Sequence, residues 1–206
     1  MQKIMFNTPY FMHYAVMQGW KEMTRRPVGD RMTKWDIKAY LSGHKEVAHN
    51  LAPYKIGETV AIPQAYKDVL DELPDRYREM VIGLYSNSKA WTNKLYVRPD
   101  LMPHQIQITD IKVERLQDIS PEDCLKEGIQ TDNGPVYWIS ADHDLPGWKK
   151  ANDKLSEWLP GRNGKPESYF WNDPKRCFAN LIDVISGKGT WDRNDWQFAY
   201  TFKRIK

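Results

Sequence analysis

The chain has 206 residues and a mass of 24.3 kDa, enough for one decorated domain with a substantial core. With 41% hydrophobic and 28% charged residues, nine Trp and eleven Tyr, the composition excludes a disordered tail and its aromatic share points to β structure. The net charge of +3 and pI near 8.7 permit a phosphate-bearing partner but fall short of the dense cationic surface of a dedicated duplex binder.

No stretch approaches the roughly twenty apolar residues of a membrane span. Residues 1–8 lack a basic segment followed by an apolar one, so a soluble, cytoplasmic protein is expected. Cys124 and Cys177 are the only cysteines. They form no CxxC pair, and free or buried thiols are expected rather than a disulfide.

In chain order, Lys3 to Asn7 reads as a short strand. Thr8 followed by Pro9 offers an N-cap with proline at the first helical position. Met12, Ala15, Val16 and Gly19 fall at the i, i+3, i+4, i+7 spacing of one buried helix face ending near Gly19. Pro27, Gly29 and Asp30 make a turn, and Trp35 to His49 reads as a polar helical excursion. Gly57 and Glu58 lead into a core strand over Thr59 to Ile62 that stops at Pro63. Tyr66 to Tyr85 is helical in pattern and broken at Pro74.

Lys94 to Leu116 is strand-like. Its apolar parity flips between Ile106 and Ile108 on one side and Ile111 and Val113 on the other, which predicts a bulge at Thr109 and Asp110. Ser120, Pro121 and Asp123 give an N-cap, a first-turn proline and a capping-box-like acid. Gly128 offers a left-handed stop, so a short helix is expected to end on Glu127. Residues 133–172 read as a long loop or lid. Cys177 to Ile185 resumes a helical pattern, and Trp196, Phe198, Tyr200 and Phe202 alternate as a terminal strand. A single α+β domain over 1–206 is expected, with insertions at about 34–53, 66–93 and 131–175.

Familiar catalytic signatures are missing: there is no Gly-x-Ser-x-Gly elbow, no His-Glu-x-x-His and no Walker loop. The five histidines form no metal-ligand pattern. Asp142-His143-Asp144 reads as a solvated loop rather than a metal site. Neither a metal nor a cofactor is expected.

The most informative segment is Gly19-Trp20-Lys21-Glu22-Met23-Thr24-Arg25-Arg26-Pro27. It resembles the Gly-x-Lys-x-x-Thr-x-Arg signature of the ASCH family, small β-barrel proteins related to the PUA RNA-binding fold. Tyr54 to Val60, Val113 to Ile129 and the closing Trp196 to Ile205 segment support the resemblance. The remainder looks like the insertions of larger phage and prophage members.

The resemblance implies a twisted PUA-like barrel that binds RNA or a modified nucleoside. In family members that hydrolyse N4-acetylcytidine, the lysine and threonine of the motif act with a glutamate. By that resemblance Lys21, Thr24 and Glu127 take those catalytic positions. A ribonuclease-like activity, reported for some relatives, is a further alternative. Amide cleavage needs a hydroxyl nucleophile and a nearby base, and a lysine supplies the base once desolvation lowers its pKa.

Glu127 also stands out on physical grounds, because a carboxylate at a helix C-terminus faces the negative end of the macrodipole. A purely structural Lys21–Glu127 pair, with Thr24 capping a turn, is the bland alternative. Had Lys21 to Thr24 formed one continuous strand, their side chains would point to opposite faces, so a shared site requires an irregular segment there. Arg25 and Arg26 read either as phosphate or carbonyl ligands or as a solvated pair. Gln64 stands where larger family members carry a glutamate, and is a candidate substrate contact. Trp191 fits either a base-stacking platform or core packing.

Overall fold

The structure, a computed structural model, describes residues 1–7, 12–131, 138–139 and 173–206. The Thr8–Pro9 cap, the Asp142-His143-Asp144 triplet and nearly all of the 133–172 loop lie outside the described residues.

Five strands form one mixed sheet: β1 (Gln2–Lys3), β2 (Met23–Pro27), β3 (Thr59–Ala61), β4 (Gln105–Arg115) and a terminal strand, Trp196–Arg204. A separate two-stranded pair joins β5 (Ile129–Gln130) to β6 (Trp138–Ile139), so the terminal strand is β7. In the main sheet the order is β1-β3-β4-β7-β2. Only β1 and β3 run parallel. Among the described residues β1 and β2 are two unjoined edges, so the sheet is open where the resemblance implied a closed barrel.

The long strand carries the expected bulge, with the register shifting between Ile108 and Asp110. One extra residue there cancels the parity flip. Ile106 and Ile108 therefore share a face with Ile111 and Val113, opposite Phe202, Tyr200 and Phe198 of β7, and all seven are buried. This face holds the main core. Because β3 covers only the first residues of β4, the outward N–H of Val113 has no strand partner and donates instead to the Tyr40 hydroxyl at 3.0 Å.

Helices flank the sheet: α1 (Met12–Met17), α2 (Lys34–Leu41), α3 (Glu46–Leu51), α4 (Tyr66–Val69), α5 (Asp75–Tyr85), α6 (Pro121–Lys126), α7 (Pro174–Ser186) and α8 (Thr190–Arg193). The excursion expected over Trp35 to His49 is thus two helices. Thr33 and Asp36 form a reciprocal capping box, and Gly43, at φ 108°, breaks the run. The strand expected from Lys94 begins only at Gln105. Residues 94–101 make short 3₁₀ turns, and Pro99 and Pro103 remove two ladder donors ahead of β4.

A second, smaller core lies beside the first. Tyr66, Val69, Leu73, Val81, Ala90 and Met102 pack there around Ala61 of β3. No helix among the described residues is long and apolar enough to cross a membrane. Cys124 and Cys177 are free and buried.

Candidate functional site

Lys21 is placed by the way α1 stops. Gly19 takes φ 73°, its N–H donates to Val16 O at 3.1 Å, and Trp20 N–H reaches back to Ala15 O at 2.8 Å. This left-handed Schellman closure sends the chain out of the helix at a fixed angle. Lys21 and Glu22 then form an irregular step before β2 begins at Met23. Such a segment is what a shared Lys21–Thr24 site requires.

Glu127 is placed by the end of α6. The Ser120 hydroxyl accepts the Asp123 N–H at 3.1 Å, Pro121 occupies the first turn, and Gly128 turns the chain at φ 97°. The two helix ends meet: Glu22 N–H donates to Lys126 O at 2.8 Å, and Lys21 Nζ donates to Glu127 O at 2.7 Å. Lys21 Nζ also pairs with Glu127 Oε2. A lysine thus caps the C-terminal carbonyls of α6 and neutralises the carboxylate the macrodipole disfavours.

Both partners are buried, with Lys21 5% and Glu127 3% exposed. Desolvation pulls the Lys21 amine below its ordinary pKa, with Arg26 and Arg25 adding to the shift, while Glu127 opposes it.

Thr24 and Arg26 lie on β2 opposite Tyr200 and Phe198, so they share the core-facing side of the sheet. Among the described residues no hydrogen bond engages the Thr24 hydroxyl, and Thr24 belongs to the β2 ladder rather than capping a turn. Arg26 donates to Met5 O and lies 5.8 Å from the Phe6 ring centre. Desolvation lowers its pKa.

Arg25 points the other way. Its Nη1 donates to Glu127 Oε1 at 2.8 Å, its Nη2 pairs with Glu114 Oε1 and lies 3.7 Å from Asp123 Oδ2, and the Phe178 ring centre is 5.7 Å away. As neighbours on a strand, Arg25 and Arg26 face opposite sides, and the Arg25 side chain, 1% exposed, is engaged by three carboxylates.

Lys21, Thr24, Arg25, Arg26 and Glu127 line one cavity of about 130 Å³ at the free edge of β2. Phe6 and Met12 form one apolar wall, and Phe178, Leu181, Ile182 and Ile185 of α7 form the other. This is smaller than the roughly 300–1,000 Å³ of pockets for drug-sized ligands, and it suits a single planar ring with the rest of the molecule outside.

The other two candidates lie elsewhere. Gln64 is buried against Met102, whose sulfur accepts its N–H at 3.4 Å, and its Oε1 has no partner among the described residues. Trp191 packs edge-on against Phe178 at 6.3 Å, and its carbonyl accepts from Gln117 Nε2 at 2.9 Å. Neither lines the cavity.

The charged face behind Glu127 escaped the sequence reading. Lys112 and Glu114 alternate with Ile111 and Val113 on β4, a polar stripe visible in the period of two. Asp123 does not reach back to close a capping box. It pairs with Lys112, while Lys126 lies 3.7 Å from its Oδ1. Among the described residues no cluster of histidine, cysteine and carboxylates is placed to hold a metal.

Compared with known proteins, the chain matches no family model, no curated protein and no solved structure. Its functional reading rests on the geometry of the site and on the motif it carries.

Proposed function

We propose that the cavity at the β2 edge binds the base of an RNA or of a modified nucleoside. The observation that carries this reading is the convergence of Lys21, Thr24, Arg26 and Glu127, which offer donors and acceptors, on a slot walled by Phe6 and Phe178. A base presents the matching surface: an apolar face and a hydrogen-bonding edge. The ordered match of the Lys21-x-x-Thr24-x-Arg26 segment and Glu127 to the ASCH signature supports the same ligand class.

Titration calorimetry with N4-acetylcytidine, cytidine and a short single-stranded RNA tests the proposal. Saturable binding of at least one is expected. Arg26→Gln should weaken it on the order of tenfold or more, the scale of a charged hydrogen bond. Absence of binding to all three, or affinity indifferent to Arg26, rejects the reading.

A second reading, hydrolysis of an N4-acylated cytidine, is favoured by the desolvated Lys21 amine lining one cavity with a Thr24 hydroxyl that no hydrogen bond engages among the described residues. In it the neutral Lys21 amine takes the Thr24 proton as Oγ1 attacks the acyl carbonyl. The tetrahedral adduct expels N4, which receives that proton and departs as cytidine, leaving an acyl ester on Thr24. Water, deprotonated in the same way, releases the carboxylic acid and restores the hydroxyl. Glu127 holds the lysine in place throughout.

A further inference from the structure

Four cations, Lys21, Arg25, Lys112 and Lys126, interlock with three carboxylates, Glu114, Asp123 and Glu127. Carboxylates are the scarcer partner, and Glu127 is the one divided between the two halves of the network. Its Oε2 meets Lys21, and its Oε1 meets Arg25 at 2.8 Å. Arg25 is itself held from behind by Glu114 and, at 3.7 Å, by Asp123, which Lys112 in turn anchors.

We propose that Arg25 is a positioning residue, which shares the Glu127 carboxylate with Lys21 and thereby sets how readily the Lys21 amine gives up its proton. This role rests on and deepens the reading of the cavity as a working site, and assigns Arg25 a function that acts through Glu127 and Lys21. A permanent cation bonded to Glu127 withdraws part of the carboxylate's stabilisation from the Lys21 ammonium and adds a like charge nearby. Glu114 and Asp123 moderate this pull by occupying the other guanidinium edge.

Among the described residues the charged groups facing Lys21 are few: Glu127 at the end of α6, and Arg25 and Arg26 from β2. The cavity wall formed by α7 presents Phe178, Leu181, Ile182, Ile185 and Ser186, and α1 presents Met12, so neither adds a charge there. The directions follow. Removing the Arg25 charge returns Glu127 wholly to Lys21 and removes a repulsion, and both effects hold the proton more tightly. Removing the Glu114 charge frees Arg25 to pull harder on Glu127 and takes away a favourable field, and both effects loosen it.

The experiment follows the Lys21 side chain directly, in full-length protein carrying ¹³C at lysine Cε, with the resonance assigned by its loss in Lys21→Arg. Arg25→Gln should move the Lys21 titration midpoint up by about one pH unit, and Glu114→Gln should move it down by a comparable amount. Arg25→Lys should stay near wild type. A midpoint unmoved by both neutralising changes, with only the thermal unfolding temperature affected, overturns the proposal, because that is what a packing role alone produces. Should Arg25→Gln fail to fold, Glu114→Gln decides alone: a downward shift supports the inference, and no shift or an upward one rejects it. Adding N4-acetylcytidine, cytidine and the short single-stranded RNA in turn to the same wild-type samples separates the two claims. Shifted titrations with binding of none of the three retain the positioning role and remove the proposed function.

Discussion

At the scale of single residues, Lys21 combines two demands that pull in opposite directions. Its ammonium caps α6 and pairs with Glu127, which favours the charged form, yet the buried setting disfavours it, and desolvation has the larger effect. A catalytic base must be neutral, so hydrolysis of N4-acetylcytidine is expected to be low in acid, to rise with pH, and to level off at an inflection below the ordinary lysine value of 10.5. Acetate release measured across that range should show this limb, and Lys21→Ala should cost on the order of a hundredfold or more. Thr24→Val keeps the shape without the hydroxyl and should be comparably damaging. Activity that survives both changes removes these two residues from the chemistry. The meeting of Lys21, Thr24 and Glu127 at one cavity was legible because each sits at a cap or motif that local sequence marks. The burial of Arg25 among Glu114, Asp123 and Glu127 was not, because a run of five strand residues too polar to show an apolar face hides which side each occupies.

At the scale of elements, two left-handed glycines aim the site. Gly128, at φ 97°, closes α6, and its Cα lies so near the motif that an added Cβ would meet Lys21 Cβ at 3.5 Å and Ala15 Cβ at 3.7 Å. That spacing is ordinary contact, so the cost of Gly128→Ala comes from the backbone angle, about 1–2 kcal/mol for a side chain forced into the left-handed region. Thermal unfolding should fall by a few degrees. Gly83, exposed within α5 with open space around it and no positive φ, is the opposite case. Gly83→Ala should stabilise by roughly 0.5–1 kcal/mol through helix propensity. If Gly128→Ala leaves the unfolding temperature unchanged or raises it, the turn at Gly128 is not what holds the α6 end. Caps and stops of this kind were readable in the chain because Ser, Pro and Gly act locally. The start of β4 was not, since the alternation of Lys94 to Met102 resembles a strand until prolines and a second core claim those residues.

At the scale of the whole molecule, the charge network does more than line a site: it fastens α6 to the polar stripe of β4 and to Arg25 of β2, beside the apolar packing of Cys124 in the main core. Such a fastening makes stability depend on pH. Burial acts to raise the Asp123 pKa, but the Lys112 hydrogen bond and the charges of Lys112 and Arg25 outweigh it and hold the carboxyl below its ordinary 3.8. Lys112 is correspondingly held above its usual range: burial acts against this, and the Asp123 bond and the Glu114 charge outweigh it. For a depressed acid the folded state binds fewer protons than the unfolded one. Its stabilisation is therefore complete above the unfolded value and is lost as pH falls through the folded one. Urea midpoints taken from about pH 7 down to about pH 3 should decline at the acid end. Asp123→Asn should lower the midpoint at neutral pH and flatten that decline, because the variant has already lost what acid removes. The exposed Asp36 and Asp100, whose carboxyls are also depressed, by the Thr33 and Arg98 hydrogen bonds respectively, add to the slope in both proteins and cancel in the comparison. An Asp123→Asn curve that runs parallel to wild type across the whole range would show that α6 is held by packing alone and that the ion pairs contribute nothing to its attachment.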